Sequence, residues 1–132
     1  MVQPPKAIGL FLCDQVIIDR DTQKPCLIGC FAGRAVSEFP SGPQRFDVFA
    51  ALTDGLGDVT IDLTVTHLET DQEIYARRFP FRFPDPLKVV HLYFQVRACD
   101  FPAQGNYLFT LSAGEAEIAA CRLRVYQQGD QP

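Results

Sequence analysis

The sequence predicts an all-β domain, a two-layer antiparallel sandwich of about eight strands. Three observations predict it. Apolar and polar residues alternate at a spacing of two in several segments, as half-buried strands require. Proline- and glycine-containing turns cut the chain into short apolar runs with no linker or repeat between them. Hydrophobic residues make up 47% of 132 residues, enough for one core and too short a chain for two good ones. The whole chain, 1–132, is therefore read as a single domain, with an ordered core over 6–126 and short polar tails.

The elements follow in order. Strands are expected at 7–18, 26–38, 45–53, 58–69, 73–83, 88–97, 105–113 and 116–126. The turn Asp19-Arg20-Asp21-Thr22-Gln23-Lys24-Pro25 separates the first two, and Pro40-Ser41-Gly42-Pro43 ends the second. Asp54-Gly55-Leu56-Gly57 follows the third strand. In the fourth, Val59, Ile61, Leu63 and Val65 share one face and Thr60, Asp62, Thr64 and Thr66 the other. Glu69-Thr70-Asp71-Gln72 reads as a hairpin tip. Val90, Leu92, Phe94 and Val96 repeat the alternation, with His91, Tyr93, Gln95 and Arg97 opposite. Tyr107, Phe109 and Leu111 give a third clear case. Residues 113–121 are ambiguous between helix and strand. Ala116, Ala119, Ala120 and Leu123 fit a helical spacing, but Arg122-Leu123-Arg124-Val125-Tyr126 is strand alternation, so a strand with a bulge is expected.

The dipeptides Phe39-Pro40, Phe79-Pro80, Phe83-Pro84 and Phe101-Pro102 suit strand ends, where Phe fills the core and Pro stops the ladder. Pro80 lies inside a predicted strand, so 73–83 must be an edge or be broken. The alternative reading makes these phenylalanines exposed anchors for a partner.

Charge and composition narrow the function. Twelve basic against sixteen acidic residues give a net charge of −4, unsuited to general nucleic-acid or anionic-membrane binding. No apolar run approaches the ~20 residues of a membrane span, and the N-terminus lacks the pattern of a secretory signal. Five cysteines, Cys13, Cys26, Cys30, Cys99 and Cys121, together with that missing signal suggest reduced thiols in a cytoplasmic protein. Cys26 and Cys30 would share a strand face, with Cys13 on the neighbouring strand. They are either small core residues or a thiol site, and no paired C-x₂-C spacing supports zinc.

No catalytic residue, cofactor site or metal site stands out. His67 and His91 are the two histidines, and neither has a nucleophile motif beside it. Asp14, Asp19 and Asp21 gather near the first turn, but Arg20 and Lys24 interrupt them, which favours a solvated turn over a calcium loop. The sharpest charge feature is Arg77, Arg78, Arg82 and Lys88, interleaved with Phe79, Phe81 and Phe83. These four are the candidate partner-binding residues. The same pattern also fits an edge strand whose charges prevent pairing, or a single-stranded nucleic-acid surface.

Four pieces in this order carry a resemblance: Leu12-Cys13-Asp14-Gln15-Val16-Ile17-Ile18-Asp19, Lys24-Pro25-Cys26-Leu27-Ile28-Gly29, Phe83-Pro84-Asp85-Pro86 and Phe101-Pro102-Ala103-Gln104-Gly105-Asn106-Tyr107. The chain resembles, over almost its whole length, an uncharacterised family of small bacterial proteins known as a domain of unknown function. The resemblance implies a stand-alone β-sandwich in a bacterial cytosol and supplies no catalytic residue. The piece Pro102 to Tyr107 also looks like the entry to a late strand of immunoglobulin-like sandwiches, where a tyrosine hydroxyl ties down the corner.

The leading expectation is a non-enzymatic cytosolic interaction module with an unidentified protein partner or itself, a homodimer being the natural form. The alternatives are a small-ligand or carbohydrate-binding sandwich, for which Tyr75, Tyr93 and Tyr126 would replace the missing tryptophan, and a thiol or metal protein.

Overall fold

The computed structural model describes residues 1–129. It contains nine strands: β1 (Lys6–Ile18), β2 (Pro25–Cys30), β3 (Gly33–Val36), β4 (Pro43–Thr53), β5 (Gly57–His67), β6 (Gln72–Phe83), β7 (Val90–Asp100), β8 (Gly105–Ala113) and β9 (Ala116–Gln127). Four form one sheet in the order β2-β1-β4-β7, and five form the other in the order β3-β9-β8-β5-β6. The two sheets pack face to face, so the all-β sandwich expected from the alternation is what the chain adopts.

The alternating residues supply the core. Leu12, Val48, Ala50, Leu52, Leu92, Phe94 and Val96 from one sheet meet Val59, Ile61, Leu63, Val65, Phe109, Leu111, Leu123 and Val125 from the other. Phe83 and Phe101 are buried at strand ends, as the Phe-Pro reading requires. Phe46 joins Phe31, Phe101 and Phe109 at ring separations of 5.9, 6.4 and 5.8 Å. A second apolar cluster of Cys13, Val16 and Phe49, with Leu27 and Ala51 against it, lies apart from this core. Phe49 and Ala51 alternate with the core residues Val48 and Ala50, so this cluster occupies the outer face of the four-stranded sheet.

The expected second strand, 26–38, is in fact two. β2 pairs with β1, then the chain crosses through Phe31 and Ala32, and β3 pairs with β9 in the other sheet. Gly29 at φ 68° supplies the left-handed conformation before the crossing. This split raises the strand count from about eight to nine. It also introduces a parallel pair, β3 with β9, into a sandwich expected to be antiparallel throughout. A single continuous alternation in sequence cannot reveal a change of sheet, because both sheets bury one face.

The other uncertain segments resolve simply. Residues 116–127 are strand, and the register between β8 and β9 shifts at Leu111/Ser112, which leaves Ile118 as the extra residue. That bulge changes the inward phase and produced the helix-like spacing of the alanines. β6 is unbroken and lies at a sheet edge, where Pro80 is tolerated. β1 carries a bulge at Ile8, whose side chain is turned out and 60% exposed. The Tyr107 hydroxyl donates to the Ala103 carbonyl and accepts from the Ala103 amide, the corner that Pro102 to Tyr107 suggested.

The tails are better tied than expected. Gln3 bridges Leu56 through two backbone hydrogen bonds of 2.8 and 2.9 Å. The Gln128 amide donates to the Val36 carbonyl at 2.7 Å. The end of the expected tail, 130–132, lies outside the described residues.

Candidate functional site

The basic cluster is divided by the geometry of β6. Successive side chains of a strand point to opposite faces. Arg78 and Arg82 therefore project outward, opposite Asp62 and Asp58 of β5 in the strand register. They pair with those carboxylates at 2.6 and 3.3 Å. The Asp62 carboxylate also raises the Arg78 pKa, through its hydrogen bond first and its charge second. Arg77 falls on the other face, in phase with Phe79, Phe81 and the buried Phe83. It reaches across to the second sheet, where Nη1 donates to the Gln95 carbonyl of β7 at 3.4 Å. Phe79 packs on Phe94 of β7 at 5.4 Å between ring centroids. Lys88 lies apart, in the turn after β6, where its amide donates to the Asp85 carbonyl at 3.2 Å. Arg77, Arg78, Arg82 and Lys88 thus do not converge on one surface. The segment also carries Pro80, so β6 has the composition of a guarded edge.

A different edge is left bare. On one side β1 pairs with β4 from Lys6 to Cys13. On the other side β2 begins only at Cys13, and the Phe31 amide takes the Leu12 carbonyl at 3.0 Å. Among the described residues, nothing pairs with that side of β1 between Lys6 and Phe11. β9 shows the same arrangement in the opposite sheet. β3 covers it only from Arg124 to Gln127, so its earlier half is bare on that side. The cause is the crossing of β2 into β3. One segment covers half of the edge of each sheet and leaves the other half of each open.

This open side is apolar. Residues 7–13 carry no charge and no proline. Ile8 and Phe11 are 60% and 49% exposed. The Phe11 ring lies over Gly9, where an added Cβ would stand 2.7 Å from the ring edge. A groove of about 370 Å³ runs beside the strand, lined among others by Leu10, Leu12, Phe31 and Cys121. On the outer sheet face, Phe49 is covered by this strand, and His91 and the half-exposed Tyr93 follow on β7.

The cysteines separate into two groups. Cys13 and Cys99 are buried, as the core reading holds, and Cys121 is partly buried. Burial pushes their thiols up, Cys13 and Cys121 to about 11 and Cys99 to about 12. Cys26 and Cys30 are exposed instead. Cys30 sits directly opposite Cys13, the juxtaposition the spacing suggested, while Cys26 faces Ile17. No group of three or more His, Cys, Asp or Glu suited to a metal occurs among the described residues.

His67 serves structure. His67 is buried, with Nδ1 at 2.7 Å from the Thr70 hydroxyl and Nε2 at 3.2 Å from both the Gln104 carbonyl and Glu69 Oε2. Its ring lies 4.7 Å from that of Tyr107. Glu69 in turn accepts from the Asn106 amide, which holds its carboxyl below the usual range. The cluster pins the β5–β6 turn to the entry of β8. His91 is exposed beside Phe49.

The open edge was missed in the sequence because its signal is an absence of charge, and only the sheet order shows which uncharged strand lies at an edge. A family model matches residues 9–126, which include most of β1 and all of β2 to β8. The chain belongs to DUF6941, a family of unknown function. No curated protein matches this DUF6941 chain. Among solved structures, the C-terminal domain of wzt is similar at 15% identity and a TM-score of 0.54, over 99% of this chain and 79% of that one. The β-D-glucoside glucohydrolase from Trichoderma reesei is similar at 10% identity and a TM-score of 0.53. That match covers 92% of this chain but only 19% of the hydrolase. At such identities the DUF6941 domain shares their fold alone. No helix of the described residues is long and apolar enough to cross a membrane.

Proposed function

We propose that this domain is a non-enzymatic interaction module that docks through the open half of β1, and that its partner is a second copy of the same chain. The observation that supports this is the bare edge of β1, uncharged from Ala7 to Phe11, where the edge strand β6 carries charge and proline. An unpaired row of backbone donors and acceptors is a template for another strand. β6 resists such addition through Pro80 and its charges, and Arg77 occupies a carbonyl of β7.

A second copy fits for two reasons. A strand that pairs antiparallel with itself forms a two-fold interface and needs no other complementary surface. The uncharged stretch also sets no like charges opposite each other, whereas β6 would.

Light-scattering mass over a concentration series tests the reading. The expected result is a species of twice 14.8 kDa that gains population with concentration. Ile8→Lys places a charge on the open edge and should return the chain to monomer with its fold intact by circular dichroism. Replacing Arg77, Arg78 and Arg82 together by Glu should leave the dimer. A strict monomer at the highest concentration, or a dimer lost only in the triple variant, overturns the proposal.

A further inference from the structure

We propose that Cys13 and Cys30 form a reversible cross-strand disulfide, which makes the β1–β2 pair a thiol-oxidation site. The two residues are direct partners in the antiparallel register. Such partners lie about 4.5–5.5 Å apart at Cα, inside the range a disulfide spans. Register partners also project to the same face of the sheet, so the two thiols share a side. Cys13 feels the Cys30 thiol electrostatically, which agrees with their closeness.

The asymmetry of the pair sets the order of events. Cys30 is exposed, and Cys13 is buried with Val16 and Phe49. An oxidant in solution reaches Cys30 first. With a small-molecule disulfide such as oxidised glutathione, the Cys30 thiolate attacks one sulfur, forms a mixed disulfide and expels one thiol. Cys13 then loses its proton and attacks the Cys30 sulfur, forms the Cys13–Cys30 bond and expels the second thiol. Two protein thiols are oxidised, one disulfide is reduced to two thiols, and both protons end on the departing molecules. Burial raises the Cys13 pKa, which slows its attack relative to a freely ionising thiol.

Neighbouring thiols offer competing products that the structure disfavours. Cys26 lies opposite Ile17, several residues along β1 from Cys13. Cys121 lines the same groove as Cys30 but belongs to the other sheet. The bridge would staple β2 to β1 at the point where the open edge begins.

The test uses the full chain in buffers of defined oxidised-to-reduced glutathione ratio. Free thiols are then alkylated under denaturing conditions, and peptides are mapped by mass spectrometry. The expected product has lost two hydrogens, carries a Cys13–Cys30 peptide cross-link and returns to five free thiols with dithiothreitol. Cys26→Ser should leave the cross-link unchanged. Cys30→Ser, at an exposed position that keeps the fold, should abolish it. A lasting glutathione adduct on Cys30, a bridge that uses Cys26 or Cys121, or five free thiols at the most oxidising ratio overturns the proposal.

Discussion

Replacing Tyr107 by Phe isolates one hydroxyl. The ring is fully buried, 4.9 Å from Phe101 and 4.7 Å from His67, and Phe keeps those contacts. What disappears is one hydrogen bond donated to the Ala103 carbonyl and a longer one, 3.3 Å, accepted from its amide. Ala103 is exposed, so water can satisfy both groups in the variant, and no buried orphan is left behind. The loss should therefore approach the net worth of the bonds, about 1 to 2 kcal/mol in total, rather than a full desolvation penalty. For 132 residues at about 2.1 cal/mol/K per residue, the unfolding entropy is about 0.28 kcal/mol/K, so Tm should fall by about 4 to 7 °C. Urea denaturation should show a lower midpoint at an unchanged slope, because the same surface is exposed on unfolding. Tyr107→Ala also removes the ring and should cost about 3 to 5 kcal/mol. A Phe variant as stable as the parent would show that the hydroxyl holds nothing down. One as damaged as the Ala variant would show that the corner is coupled to the core, and the local account would fail.

Three further outcomes are expected. Alkaline titration should destabilise the fold, because burial raises Tyr107 and the thiols of Cys13, Cys99 and Cys121. Groups with raised native pKa stabilise fully below their unfolded pKa, here 9.0 for the thiols, and that stability is lost as pH climbs towards about 12; urea midpoints at pH 8, 9, 10 and 11 (values on the order of the unfolded thiol pKa) should fall steadily, and a flat series refutes this. Asp47→Ala removes the buried acceptor of the Val16 amide at 2.8 Å and should cost about 1 to 3 kcal/mol, with slowed hydrogen exchange at Val16 lost. Arg78→Ala and Arg82→Ala break exposed ion pairs and should leave the urea midpoint in high salt where it was, since salt already screens such pairs.

The alternation of Val59, Ile61, Leu63 and Val65 was legible because each residue has one choice of face and burial follows. The edge position of 73–83 was legible from Pro80, since a missing donor is tolerated there. The change of sheet between Cys30 and Gly33 was not legible. Local pattern records which face is apolar, and Leu27 and Val36 satisfy that rule in different sheets. Arg78 and Arg82 stand on one face of β6 and Arg77 on the other, for the same geometric reason that strands alternate. Arg77 and Arg78 are neighbours in sequence and therefore point apart. Density of charge along a strand overstates its density in space by about a factor of two.

That argument extends to the open edge. A sandwich edge is safe when its strand is short, charged, kinked or covered. β6 uses charge and proline, and β3 is only Gly33–Val36 long. β2 would cover β1 completely if it continued along its partner past Cys30. Gly29 turns the chain instead, and β3 goes on to seal the end of β9 against Gln127. Each sheet therefore gains half a cover from one segment of chain. The uncovered half of β9 carries Glu117 and Arg122 and is guarded by charge. The uncovered half of β1 has only the bulge at Ile8, which turns another apolar side chain to solvent. Charge guards β6 through Arg78 and Arg82 and the bare half of β9 through Glu117 and Arg122, and no such residue stands on β1 between Ala7 and Cys13. A stretch without the charge that β6 and β9 carry is what the proposed pairing of two copies requires.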